Sequence, residues 1–307
     1  VPVDFQNFQS KETVMPKAFK SFDKAASGVV AEKPSRNISR RSVIAITGAV
    51  LLGSVTVLGM TRRNPLVDEN TGCLVEVPPP STLAIMVDAS DAITSNEVSR
   101  AKTTVGTELK RLPEYSHVIV AQLNAKMPND PTVMVASCSP GNGSSSDFVT
   151  GSVFAKRSFH EKIEGPVFKA IDDIAAKAAA TISPIQESIT SLTRRSDFDG
   201  SVRNRQLIVI TDGLQNDRMP THTRQLRSSK GYTHYSGEDP WKAFQRSPLA
   251  ARPGPDLRNA SVIIQYIERP EWAAFQSLRH RAFWERWLRM YGATQVEFRG
   301  LPFTPIS

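Results

Sequence analysis

The chain has 307 residues, 40% of them apolar, which suits one large domain with appendages better than two equal domains. Its formal net charge is +8, but residues 1–41 hold eight Lys/Arg against four Asp/Glu, Arg62 and Arg63 add two, and residues 64–307 hold 28 basic against 26 acidic side chains. The folded part is close to neutral, which argues against nucleic acid as a partner.

Residues 1–41 mix Lys, Ser, Ala and Pro without sustained periodicity and are expected to form a disordered, solvated tail. Residues 42–60, SVIAITGAVLLGSVTVLGM, run for 19 residues without a charge. That is about the length needed to cross a hydrocarbon core of roughly 30 Å. A buried core helix would need a surrounding domain that the preceding tail cannot supply. Arg40 and Arg41 lie before the run, Arg62 and Arg63 after it, and positive charge is heavier on the N-terminal side. This predicts a single-pass inner-membrane anchor, the tail cytoplasmic and the remainder periplasmic or extracellular. SRRSVI also resembles a twin-arginine export signal, but no small-x-small cleavage site precedes TRRNP, so a retained anchor is expected. Cys73 and Cys138 both fall on the exported side, where an oxidising compartment permits one disulfide between them; the alternative is two free buried thiols.

A Pro-rich linker, residues 61–81, leads to the domain expected over residues 82–307. TLAIMVD (82–88) reads as a buried strand, and 95–112 carries helical spacing through Val98, Ala101, Val105 and Leu109. HVIVAQL (117–123) and TVMVAS (132–137) read as two further strands, the second closing on the turn-rich CSPGNGSSSD. A helical region covers about 152–180, and SPIQESITSL predicts a helix with Ser183 as N-cap and Pro184 at its first position. QLIVITD (206–212) is a second wholly apolar strand ending in Asp. Residues 213–259 form a long, poorly periodic insertion with Arg218, Arg224, Arg227, Lys230, His222 and His234; two lone histidines make a poor zinc site. SVIIQYIE (261–268), a helix over 271–292 and a strand over 295–300 complete the domain. Trp272, Phe275, Phe283, Trp284 and Trp287 of that helix are expected to pack on the sheet, with Arg279, Arg281, Arg286 and Arg289 on its solvated face.

Strands apolar on both faces and separated by helices imply an α/β fold: a doubly wound, mostly parallel sheet with helices on both faces. Ligands of such sheets sit at the carboxyl ends of the strands, here marked by Asp88 and Asp212. With Ser90, and Thr181 or Ser183 ahead of a helix, these make an oxygen-rich cup of the kind hard cations favour. CSPGNG and DGLQND read as surface loops that could ring it, or as turns without a role.

The order strand, DASDA, helix, then a hydroxyl ahead of a helix, then strand and ITDG, resembles the von Willebrand factor A-type domain with its metal-ion-dependent adhesion site. The resemblance covers about 82–300. Carried over, it makes Asp88, Ser90, Ser183 (or Thr181) and Asp212 ligands of a divalent cation, Mg²⁺ with Mn²⁺ or Ca²⁺ as alternatives, and implies a protein partner that completes the coordination with an acidic residue. The chain departs at Ala92, where the family has a second serine; Asp91 or Thr94 are the substitutes at hand, each with a competing role as cap of the next helix. The resemblance thus implies a degenerate site.

No GxSxG elbow and no phosphate loop occurs. The enzymatic rival is a metal-assisted phosphohydrolase using Asp88, but aspartate-nucleophile phosphatases need an acid where this chain has Ser90. The expected function is therefore non-enzymatic: a membrane-tethered, exported protein-binding domain, with a metal-free envelope scaffold as an alternative.

Overall fold

The computed structural model describes residues 66–124, 126–127, 129–142, 149–177, 182–215, 240–246, 248–270 and 276–300. By its contacts the chain falls into two units, Val1–Arg63 and Asn64–Ser307, and all described residues lie in the second. The expected tail and the apolar run 42–60 lie outside the described residues. Among the described residues no helix is long and apolar enough to cross a membrane.

Six strands form one sheet: β1 (Thr82–Val87), β2 (His117–Gln122), β3 (Thr132–Cys138), β4 (Arg205–Thr211), β5 (Ala260–Tyr266) and β6 (Gln295–Arg299). Their order is β3-β2-β1-β4-β5-β6. All neighbours pair in parallel except β2 and β3, which run antiparallel. The order reverses between β1 and β4, so the crevice at the carboxyl ends of those two strands is the switch point where such sheets bind ligands.

Alternate residues of the central strands feed two cores. On one face Ala84, Met86, Leu207, Val209, Val262 and Ile264 pack against Ile189, Trp241, Phe244, Phe283, Trp284 and Trp287. On the other, Leu83, Ile85, Val120, Ile208, Ile210 and Ile263 meet Val105, Leu109, Ile163, Val167, Ile171 and Ile174. Burial on both faces is why these strands are unbroken apolar runs. The edge strand β3 alternates exposed and half-buried positions instead.

The first helix, α1 (Ser95–Leu109), starts at a capping box: Thr94 Oγ1 accepts from the Glu97 amide at 3.3 Å, and Glu97 Oε2 accepts from the Thr94 amide at 2.7 Å. The helical region expected over about 152–180 is α2 (Val149–Phe159), a π-turn (His160–Glu164) and α3 (Gly165–Ala175). Next, α4 (Ile185–Leu192) begins one residue later than the sequence suggests, with Pro184 at the N-cap position and no side-chain cap. The insertion holds a short helix α5 (Pro240–Gln245) and a 3₁₀ turn (Pro248–Ala251), and it sends Trp241 and Phe244 into the core. Residues 216–239 lie outside the described residues. Finally α6 (Leu278–Met290) covers only the second part of the expected 271–292, of which 271–275 are not described. Phe283, Trp284 and Trp287 pack on the sheet as expected. Its arginines are not all free of apolar contacts: Arg286 stacks 4.0 Å from the Trp241 ring and Arg281 lies 5.1 Å from Phe298.

Cys73 and Cys138 form a disulfide, Cα atoms 4.8 Å apart. It fastens a small turn, closed by a bridge between Val67 and Leu74, onto the end of β3, where the Cys138 amide donates to the Thr71 carbonyl at 2.7 Å. Because β3 is antiparallel, Cys138 sits beside His117 and Thr82 at the amino ends of β2 and β1. The CSPGNG loop therefore starts at the pole opposite Asp88 and does not ring the cup. The expectation that it did so assumed a parallel β3.

Candidate functional site

The ladder between β1 and β4 continues one residue beyond β1, the Asp88 amide donating to the Ile210 carbonyl at 2.9 Å. This fixes Asp88 at the switch point, the residue 4% exposed. Oδ1 accepts from the Ser90 amide at 3.1 Å, which turns the chain away from the strand. Oδ2 accepts from two hydroxyls, Ser183 Oγ at 2.7 Å and Thr211 Oγ1 at 2.8 Å. Ser183 is therefore spent on Asp88 rather than on capping α4, which corrects the expected N-cap role. A buried carboxylate needs donors, and the start of α4, itself buried, has another acceptor in Gln215 Oε1, which takes the Gln186 amide.

Asp212 follows β4 and is equally buried. Its Oδ1 accepts from the Leu214 amide at 2.8 Å, and Thr211 Oγ1 takes the Gly213 amide at 2.9 Å. Burial first, and then the Asp88 charge, push the Asp212 carboxyl well above the usual carboxylate range; the Leu214 amide and Arg269 pull the other way. The DGLQ loop is not a surface turn: residues 212–215 are all buried. Gln215 Oε1 accepts from the Gln186 amide at 2.9 Å and its Nε2 donates to Glu187 Oε2 at 2.7 Å, which ties the loop to the first turn of α4. Gly213 sits at φ +74°, where a β-carbon would meet Trp284 Nε1 at 3.0 Å, His280 Cε1 at 3.1 Å and Tyr266 Cε2 at 3.1 Å. Trp284 Nε1 donates to the Gly213 carbonyl at 2.9 Å, and Tyr266 Oη lies 2.7 Å from His280 Nδ1. Burial pushes the His280 imidazole down to about 4, against a smaller upward pull from a Gly213 backbone contact.

The other candidates divide. Ser90 lies at the rim, half-buried, and Asp91 and Ala92 are exposed beside it. Thr94 is the cap of α1, its hydroxyl 2.8 Å from Glu97 Oε2. Thr181 lies outside the described residues. The structure thus brings Asp88, Ser183 and Asp212 together with Ser90 and Asp91 at the edge.

Sequence reasoning missed Thr211, although it sits in the same ITDG, and it missed Arg269 altogether. Arg269 is buried, and its side chain reaches from beyond β5 back over the switch point. Nε stands 3.8 Å from Asp212 Oδ2, and a terminal nitrogen stands 3.7 Å from Glu97 Oε2. Gln276 sets its backbone: Oε1 accepts from the Arg269 amide at 2.6 Å while Nε2 donates to the carbonyls of Asp212 at 2.9 Å and Ile267 at 2.8 Å. The available signal was a cation three residues past an apolar strand, in a sheet whose other central strands lead into Asp88 and Asp212.

As a cation site the donor set is uneven. Two carboxylates and several hydroxyls converge, but Ala92 offers no ligand atom, Asp88 Oδ2 already takes two hydroxyl donors, and a guanidinium stands at Asp212. Among the described residues no group of three or more His, Cys, Asp or Glu is arranged to hold a metal ion.

Fold and site define the class: a doubly wound α/β domain with a mostly parallel sheet and a polar cup at its switch point. No protein-family model matches the chain, and no curated protein does. Solved structures similar to it include the D319A mutant of the PilB minor pilin from Streptococcus sanguinis, at 8% identity and TM-score 0.38, over 74% of this chain and 58% of that one. The PilB minor pilin from the same organism gives 9% and 0.35 over 74% and 58%, and a von Willebrand factor type A from Catenulispora acidiphila gives 12% and 0.35 over 73% and 39%. The chain thus spans less than two thirds of each. Likenesses this distant carry no argument here, and the assignment rests on strand order and on the convergence of the two aspartate-bearing strand ends.

Proposed function

We propose that this chain is a protein-binding scaffold domain of the von Willebrand factor A-like class whose strand-end cup works without a bound metal, held at an envelope membrane by residues 42–60. One observation carries the metal-free part. The cup's carboxylates are already supplied from within the chain, Asp88 by the hydroxyls of Ser183 and Thr211 and Asp212 by the Leu214 amide and the nearby Arg269 guanidinium. The Cys73–Cys138 bridge supports an oxidising, exported location.

The reading is tested by placing a photo-crosslinking residue at exposed Asp91, on the rim of the cup, in cells. A discrete adduct that persists in a chelator is expected; an adduct lost in chelator and restored by Mg²⁺ overturns it. A reporter active only in the cytoplasm, fused after residue 70, should stay silent, and a strong signal there removes the proposed topology. Incubation with a phosphate monoester and Mg²⁺ should give no turnover above background.

A second reading puts Mg²⁺, Mn²⁺ or Ca²⁺ in the cup, completed by an acidic residue of the partner. The convergence of Asp88, Ser90, Ser183 and Asp212 supports it, and the chelator arm separates the two.

A further inference from the structure

We infer that Arg269 is the resident cation of the strand-end site and the residue that closes it to divalent metal. This rests on the metal-free reading above and adds the cause.

Acidic side chains gather at this end of the sheet: Asp88 and Asp212 in the cup, Asp91 at its rim, Glu97 in the first turn of α1, Glu187 in the first turn of α4 and Glu268 just before Arg269. Asp88 and Asp91 both act on Asp212 as like charges. Buried acids this close need a positive charge or a set of donors. Arg269 provides the charge from a third strand end, bridging Asp212 of the β4 end and Glu97 behind β1 at 3.8 and 3.7 Å. Its position is built rather than incidental, because Gln276 holds the Arg269 amide and the Asp212 carbonyl with one carboxamide. Its Nε, buried and without a hydrogen-bond partner among the described residues, is turned toward Asp212. A guanidinium is always charged and more weakly hydrated than an ammonium, so it tolerates this desolvation. A divalent ion entering the cup would meet that fixed charge. It would also have to take Asp88 from its two hydroxyl donors, and it would lack the ligand that Ala92 fails to supply.

Arg269 is a positioning residue, and its test needs a readout other than stability. In the full-length chain, Mn²⁺ binding is followed by the loss of the free-ion paramagnetic signal, alongside the unfolding midpoint with and without saturating Mg²⁺. Wild type should bind no Mn²⁺ and show no shift. Arg269→Gln should gain stoichiometric Mn²⁺ binding and a Mg²⁺ shift of about 3 °C or more. Arg269→Lys, which keeps the charge, should behave as wild type. Ala92→Ser, an exposed change that leaves the guanidinium in place, should also bind none. Metal binding by wild type overturns this inference and the metal-free function together. A silent wild type with a silent, folded Arg269→Gln overturns this inference alone. So does an Ala92→Ser variant that binds Mn²⁺, since the missing hydroxyl would then be the barrier; that arm decides the matter even if Arg269→Gln does not fold.

Discussion

Ser183 Oγ donates to Asp88 Oδ2 at 2.7 Å, joining residues 95 apart in sequence and closing the start of α4 onto the end of β1. With Thr211 Oγ1 on the same oxygen, Asp88 is the acceptor that holds three chain segments at the switch point.

Asp88→Ala should therefore cost about 2–4 kcal/mol, the penalty of stranding two buried hydroxyls. Ser183→Ala should cost about 1 kcal/mol. Asp88→Asn keeps an acceptor and removes a charge next to Asp212, so its loss should be smaller than that of Asp88→Ala. Urea unfolding of the three variants gives the ranking, and an unchanged midpoint for Asp88→Ala contradicts it.

Gly213→Ala places a methyl among three rings at a left-handed backbone position. A destabilisation of about 2 kcal/mol is expected from the backbone strain alone, with more if the rings cannot retreat. Tryptophan fluorescence should report it, since Trp284 donates to the Gly213 carbonyl.

The two aspartates, Asp88 and Asp212, were legible before any coordinates, because apolar strands ending in Asp are a local pattern and their parallel pairing follows from burial on both faces; Gly213 was not, since Asp-Gly after a strand reads as an ordinary turn. The direction of β3 was not legible, since an alternating edge strand pairs either way and nothing in TVMVASC specifies which. Ser183 read both as a cap and as a cup hydroxyl, because caps are read from neighbours in sequence whereas its acceptor, Asp88, lies at the end of another element. Arg269 escaped for the same reason: its role exists only once the ends of β5 and β4 and the first turn of α1 meet.

His280 gives a pH dependence with a definite sign. Its pKa is lowered in the fold to about 4 from an ordinary 6.5, so between those values the unfolded chain binds more protons and stability falls as the medium is acidified. The loss should begin below about pH 6.5, level off near pH 4 and reach at most about 3 kcal/mol. Asp212, raised rather than lowered, contributes with the opposite sign, so the comparison is between wild type and His280→Gln. A variant curve parallel to wild type across that window contradicts the assignment.

Reduction should separate the two cysteines with a measurable loss. The bridge closes a loop with a sequence separation of 65, for which the chain-entropy model gives about 4 kcal/mol. Alkylation of the denatured, unreduced chain should label no thiol, and after reduction it should label both.

The bridge also divides the molecule mechanically. Tension between the chain ahead of Cys73 and the chain beyond Cys138 passes through the sulfur bond and bypasses every residue between them. β1, β2, β3 and α1 lie inside that bypassed segment, so Asp88 rides on an unloaded strand. Ser183, Asp212 and Arg269 lie on the loaded part. A pull on this chain would reach the bypassed segment only through its contacts with the loaded part, among them the β1–β4 ladder and the hydrogen bonds that join Asp88 to Ser183 and Thr211.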